Sequence, residues 1–197
     1  RQAQQAGAEL AVFPELSLCG YPPRDLVEKP SFVERNRSEL EALAAEVPGI
    51  ALIVGFVSRV SSDASRGGRT VANSAALLEG GAVRFVQSKM LLPTYDVFDE
   101  GRYFEPARQQ QVIEVRGERV ALTICEDMWN DKNFWAAQSN GRLYSFDPVE
   151  ALFQQGASLL INISGCPLNA TCVPLIPAAM RKPSVVKWPL LPAPGLP

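Results

Sequence analysis

The sequence predicts a layered α/β fold built on a mixed sheet. Short apolar runs bounded by turn residues alternate with amphipathic segments that carry helix start and stop signals. Gly-containing turns join two pairs of the apolar runs as hairpins. Strands and helices in this order suggest an α/β arrangement. The Pro/Gly-rich joins also fit an α+β arrangement, and periodicity alone leaves the two open.

The chain opens RQAQQAGAEL, which reads as the middle of a helix, with no signal peptide before it. Residues 7–15, GAELAVFPE, form a buried strand led by Gly7 and ended by Pro14-Glu15. A loop follows, punctuated by Gly20 and Pro22-Pro23. Ser31 opens a helix with Glu34 as its capping-box partner; Leu40, Leu43, Ala44 and Val47 mark the inner face, and Pro48-Gly49 stops it. Residues 49–60 are a second apolar strand and 61–69 a polar, mobile loop. Runs 71–79 and 83–89 flank Gly80-Gly81 as a hairpin, and 112–115 and 119–129 flank a turn at 116–118 as another. Asp147 caps a helix with Pro148 in its first position, Glu150 completing the box and Gly156 closing it; strand 157–164 comes next.

Composition narrows the chemistry. The chain has 197 residues and no histidine, which removes Ser-His-Asp hydrolysis, Cys-His pairs and His-ligated zinc. A net charge of −2 supplies no basic field, so neither nucleic acid nor an anionic membrane is an expected partner. No apolar run reaches the ~18 residues of a membrane span. Cys19, Cys125, Cys166 and Cys172 show no Cys-x-x-Cys spacing, so free thiols in a reducing, cytoplasmic compartment are expected. The three Asn-x-Ser/Thr sequons, at Asn36, Asn162 and Asn169, read as chance matches.

The reactive groups fall at strand ends. Glu15 ends the first strand, Lys89 the first hairpin, Cys125 the second, and Ser164-Gly165-Cys166 the last run. Ligands in α/β sheets gather outside the carboxyl ends of strands, where these groups could converge. A free thiol is mostly protonated at neutral pH; a nearby Lys⁺ favours the thiolate and can hold an oxyanion, while Glu can move the thiol proton. Each residue also has an ordinary reading: Cys125 as a small core residue, Glu15 as a solvated loop carboxylate, Lys89 as a strand-edge charge. Glu126, Asp127 and Asp131 could bind Mg²⁺ through oxygen ligands, but a solvated post-strand loop is the expected reading. Ser184-x-x-Lys187 lies in a Pro-rich stretch without partner motifs and is a chance match; no P-loop and no G-x-G-x-x-G occurs.

Three stretches, VFPELSLCGYPPRDL, SKMLLPTYDVFDEGRYFEP and TICEDMWNDKNFW with INISGCP, resemble the nitrilase (carbon–nitrogen hydrolase) superfamily. Within it, the wording GYPPRDL and LPTYDVFDEGRYFEP is most similar to the glutamine-hydrolysing domains of NAD⁺ synthetases. The resemblance covers residues 1 to about 168. It implies an α-β-β-α sandwich in which Glu15 is the general base, Lys89 stabilises the transition state and Cys125 is the nucleophile. It also implies that Glu100 orients the lysine, and that Tyr95, Glu126, Ser164 and Cys166 contact the substrate, glutamine. No metal or cofactor is implied in this chain; ATP and Mg²⁺ belong to a synthetase domain absent from it. That domain is the implied partner, in a homo-oligomeric full-length enzyme.

The departures are specific. Cys166 stands where the family usually has serine, and a thiol is a weaker hydrogen-bond partner than a hydroxyl. The Ser-Gly-Gly-x-Asp-Ser nucleotide loop of the synthetase domain is absent. Family members begin with another strand and continue with a further helix and strands, so the sandwich is expected to be incomplete at both ends. From residue 169 the character changes: residues 171–197 hold seven of the 16 prolines, and no acidic residue follows Glu150. The stretch 169–197 is expected to be a poorly ordered tail outside the family pattern, and a frame change near residue 169 would produce it. Beside glutamine hydrolysis stand two other readings: an amidase or carbamoylase acting on another small amide, and an inactive fragment.

Overall fold

The computed structural model describes residues 1–60, 68–94, 98–130 and 144–165. Most of the expected 61–69 loop, together with Tyr95, Asp131, Cys166 and the Pro-rich tail, lies outside the described residues.

Two sheets form the centre. The first holds β1 (Leu10–Val12), β2 (Ala51–Arg59), β3 (Val71–Glu79) and β4 (Ala82–Ser88), side by side in that order. The β1–β2 pair is parallel; β2–β3 and β3–β4 are antiparallel. The second sheet holds β5 (Ile113–Val115), β6 (Glu118–Ile124) and β7 (Leu159–Ile163), antiparallel for β5–β6 and parallel for β6–β7. Both sheets are mixed for one reason: the hairpins close with tight turns, whereas each parallel pair needs a long crossover. Helix α2 (Pro30–Glu46) lies on the crossover from β1 to β2, and α4 (Pro148–Gln154) on that from β6 to β7. The described residues also form two one-turn helices, α1 (Gln2–Gln5) and α3 (Glu100–Tyr103), and 3₁₀ turns at Arg24–Glu28 and Cys125–Met128.

Side-chain alternation sorts these elements into four layers. Ala51 and Ile53 of β2 and Ala75 and Leu77 of β3 point inward onto Val120, Leu122 and Ile124 of β6 and Ile163 of β7. The opposite parity, Leu52, Val54, Phe56, Ala76 and Leu78, packs on Leu40 and Ala44 of α2. On the far side Ala121 of β6 packs on Leu152 of α4. Both faces of β2 are therefore covered, which is why its first eight residues are all buried and read as a continuous apolar run. The result is the α-β-β-α sandwich expected from the resemblance. No helix among the described residues is long and apolar enough to cross a membrane.

Several boundaries differ from expectation. The first strand pairs only over Leu10–Val12, because Gly7 lies in a turn and Pro14 has no N–H to donate. Helix α2 starts at Pro30 with Lys29 as its N-cap and no side-chain cap, so the Ser31–Glu34 box does not form. Proline is suited to that first position, where its missing N–H leaves no bond unmade. Strand β6 stops at Ile124 rather than continuing to residue 129, since Cys125 turns to φ 47° and starts the 3₁₀ turn. The cap of α4 is as expected: Asp147 Oδ1 accepts the Glu150 N–H at 3.0 Å.

Gly55, in the middle of β2, has a separate task. Strands rarely keep glycine unless another backbone comes close. Here the turn Pro14-Glu15-Leu16 lies directly on it: Leu18 N–H donates to Gly55 O at 3.0 Å. A Cβ at this position would sit 2.8 Å from the Glu15 backbone carbonyl carbon and would overlap Leu16 N and Pro14 O. The obstacle is backbone, which cannot swing aside. Gly55→Ala is therefore expected to cost about 1–3 kcal/mol and to displace Glu15. Chemical unfolding checks this; wild-type stability would show that the turn does not depend on the glycine.

Candidate active site

The topology gathers the predicted residues at one end of the sandwich. Strand β4 runs antiparallel to β3, hence in the same direction as β2 and β1. Lys89 follows β4 directly, and Glu15 lies three residues past β1. From the second sheet Cys125 follows β6 directly, and Ser164-Gly165 follows β7. Four strand termini thus face one another across the interlayer core.

At the centre is a buried ion cluster. Lys89 Nζ lies 2.8 Å from Glu15 Oε1 and 3.0 Å from both Oε1 and Oε2 of Glu100. Lys89 is 0% exposed, Glu15 2% and Glu100 5%. The solvated-loop and strand-edge readings of Glu15 and Lys89 are thereby corrected. Burial alone would lower the Lys89 ammonium, but the two carboxylates outweigh it and hold the group above its ordinary range. Burial pushes the Glu100 carboxyl up, opposed by Lys89 and reinforced by Glu15. Tyr21 O–H donates to Glu100 Oε1 at 3.0 Å, and its phenol is pushed up by burial and by the charges of Glu100 and Glu15. The remaining Glu15 oxygen, Oε2, accepts the Gly165 N–H at 2.8 Å. A Cβ on Gly165 would lie 3.3 Å from that oxygen and 3.0 Å from Tyr21 Cγ, so the backbone donor approaches through the absence of a side chain.

Cys125 borders this cluster. Burial pushes its thiol up to about 12; Glu15 adds to the rise, while Lys89 and a hydrogen bond with Ser164 oppose it. The thiol is accordingly protonated at neutral pH and needs a base to become a nucleophile. Its φ of 47° is a conformation non-glycine residues seldom adopt, held here at a sharp strand-to-helix turn.

The neighbouring acids are not a solvated loop. Glu126 is 3% exposed and Asp127 1%. Tyr144 Oη lies 3.2 Å from Glu126 Oε1 and 3.3 Å from Leu92 O. Asp127 Oδ1 accepts the N–H groups of Met90 at 3.0 Å and Leu91 at 2.8 Å, and its Oδ2 accepts the Ile124 N–H at 3.1 Å. Asp127 thus ties the residues just after Lys89 to the residue just before Cys125. With both oxygens committed to backbone donors, it does not suit a metal ion, and no group of three metal-ligating side chains occurs among the described residues.

Sequence reasoning missed Tyr21 on Glu100 and Tyr144 on Glu126, and two further participants. Asp127 entered only as a weak metal ligand, and Asn73 not at all; its Nδ2 donates to Glu15 Oε1 at 2.7 Å. The signal for Asn73 was a lone amide inside an otherwise apolar strand, VANSAALLE.

A family model for carbon-nitrogen hydrolases matches residues 1–145. The chain belongs to the carbon-nitrogen hydrolase family. Among the relatives of the chain, glutamine-dependent NAD(+) synthetase of Synechocystis sp. is 44% identical over 169 residues, 85% of this chain and 30% of the relative. The Thermotoga maritima enzyme of the same name is 36% identical over 171 residues, 86% of this chain and 26% of the relative. The hydrolase chain thus spans under a third of the length of these relatives. The solved structure of glutamine-dependent NAD+ synthetase from Acinetobacter baumannii in complex with ADP aligns with a TM-score of 0.69 at 33% identity, covering 85% of this chain and 28% of that one. An amidase from Nesterenkonia sp. shares the fold, with a TM-score of 0.67 at 24% identity over 89% of this chain and 59% of the other.

Asp127 also gives the chain a pH signature. Burial pushes its carboxyl up to about 7, against the pull of the backbone donors and Lys89. A carboxyl raised on folding contributes stability that is fully present below its unfolded value of ~4 and is lost as pH rises through the folded value. The stability of wild type relative to Asp127→Asn should therefore decline between ~pH 4 and ~pH 7. Asn should still cost about 1–3 kcal/mol at pH 4, because one N–H partner meets an NH₂ group. Paired urea titrations at the two pH values check both; a constant difference would show that Asp127 stays ionised throughout.

Proposed function

We propose that this hydrolase cleaves the side-chain amide of glutamine, as the ammonia-supplying part of a glutamine-dependent NAD⁺ synthetase. The observation that carries the reading is the buried Glu15–Lys89–Glu100 cluster beside the protonated thiol of Cys125. Relatives 44% and 36% identical over 169 and 171 residues bear that name.

In this reading Glu15 removes the thiol proton as Cys125 Sγ attacks the carboxamide carbon. The carbonyl oxygen takes up the electron pair, and the Lys89 ammonium stabilises the oxyanion. Collapse of the intermediate breaks the C–N bond, with Glu15 returning the proton to the departing ammonia. A γ-glutamyl thioester remains on Cys125. Glu15 then deprotonates a water that attacks the thioester, and glutamate leaves as the thiol is reprotonated. Glu100 holds Lys89 charged and in place. Glu126 and Ser164, with Tyr95 and Cys166, are assigned to glutamine binding. We take the hydrolase domain as residues 1–168, which includes the Gly165 donor, and 169–197 as a tail outside it.

Ammonia would pass to a synthetase domain, which uses ATP and Mg²⁺ to activate and amidate nicotinic acid adenine dinucleotide. The 197 residues contain no phosphate-binding Gly-rich motif, so no ATP step is assigned to them.

A glutamine-mimicking diazo ketone should label Cys125 once per chain, and Cys125→Ala should abolish the labelling, as read by peptide mass. Ammonia release from glutamine should exceed that from a panel of small amides by at least roughly tenfold, a difference of 1.4 kcal/mol in transition-state binding. Preference for another amide would assign the chain to an amidase or carbamoylase. Absence of labelling in a chain that melts cooperatively would overturn the hydrolase reading.

A further inference from the structure

We infer that Asn73 is a positioning residue for the base: its side-chain amide occupies Glu15 Oε1 and leaves Oε2 to receive the thiol proton. The inference rests on the reading of Glu15 as the base. Asn73 sits on β3 with its side chain on the inward face, 1% exposed. Its backbone is part of the same site, since Asn73 O accepts the Lys89 N–H at 2.8 Å. The side-chain Nδ2 donates to Glu15 Oε1 at 2.7 Å and approaches Glu100 Oε2 only to 3.4 Å. It therefore serves the two carboxylates unequally.

A count of donors on Glu15 shows the effect. Oε1 accepts Lys89 Nζ and Asn73 Nδ2, which satisfies both of its in-plane lone pairs. Oε2 accepts only the Gly165 N–H among the described residues, which leaves one acceptor direction for a proton. Asn73 from the first sheet and Gly165 from the second thus each hold one oxygen of the carboxylate. On Glu100 the strong donors are Lys89 and Tyr21 instead.

The amide orientation is constrained in the same way. The reverse orientation would set the Asn73 carbonyl oxygen 2.7 Å from a carboxylate oxygen, acceptor against acceptor. In the observed orientation Oδ1 accepts no hydrogen bond among the described residues, although it is buried. A buried carbonyl without a donor lowers stability, so the orientation is dictated by the carboxylate rather than by local packing. Aspartate in this place would put a third negative charge beside two others. The charged or titratable groups facing Glu15 are Lys89 after β4, Glu100 on α3, Cys125 after β6 and Tyr21 in the loop after β1.

The test is covalent labelling of Cys125 by a glutamine-mimicking diazo ketone in the full chain, read by peptide mass and resolved into the maximal labelling rate and the reagent concentration that gives half of it. Asn73→Leu removes the donor that holds Glu15 Oε1, so the maximal rate should fall by roughly tenfold while the half-saturating concentration stays within about twofold of wild type. Asn73→Ser, which can keep a weaker donor, should fall between the two and covers the case of a Leu variant that does not melt cooperatively. A maximal rate unmoved in the folded variants, or a loss carried wholly by the half-saturating concentration, would reduce Asn73 to a structural role and overturn the inference. Glu15→Gln separates this from the underlying reading: an unchanged maximal rate there would dismiss Glu15 as the base, whatever the Asn73 variants do.

Discussion

An ammonium group entirely removed from water is the constraint on which this site depends. An isolated buried charge of this kind would lose its proton or unfold the chain. Lys89 keeps it because two carboxylates, Glu15 and Glu100, lie within 3.0 Å. Such a cluster is poor evidence of a stability device, since apolar residues of similar volume usually serve as well. It sets two carboxylates against one ammonium, next to a thiol that burial keeps protonated. That combination makes chemical sense where a proton must leave sulfur at the moment of attack, and not before.

The sandwich supplies the cluster by joining two sheets at their carboxyl ends. Neither sheet could do so alone: the acid and the ammonium belong to the first, the thiol and the Gly165 donor to the second. Two features keep the halves in register. Asp127 links the backbone after Lys89 to the backbone before Cys125, and the glycine of β2 allows the Glu15 turn to lie flat on the sheet. Both act on backbone, which is stiffer than side-chain contact and suits a site whose reacting atoms need tight placement.

The absence of histidine has a structural counterpart. A histidine general base titrates near neutrality and can be tuned by modest changes of environment. In the proposed mechanism the proton acceptor is a carboxylate, and its environment is set by a lysine, an amide and a backbone N–H. Tyr21 links Glu100 to a cavity of about 280 Å³ lined by Pro22, Pro23, Phe98 and Tyr103 together with Arg24 and Asp99. The ionic core itself is buried, which strengthens every charge interaction inside it.

The amino-acid sequence by itself determined the element order, both hairpin turns, the α4 cap and the placement of Glu15, Lys89 and Cys125 at strand ends. These are local properties, written in turn residues, capping residues and apolar periodicity. The class of chemistry was legible too, because the family's wording is carried by short local stretches around Glu15, Lys89 and Cys125. The sequence overstated strand lengths at β1 and β6, where a backbone turn at Pro14 and the positive φ of Cys125 override apolar character. It gave no indication that Glu126 and Asp127 are buried, since acidic residues after a strand look solvated until something is seen to cover them. Only the tertiary structure decided that Asn73 meets Glu15 across 58 positions, and Gly165 meets it across 150. Contacts at such separations leave no periodic trace, because each depends on how two sheets stack rather than on what precedes or follows in the chain.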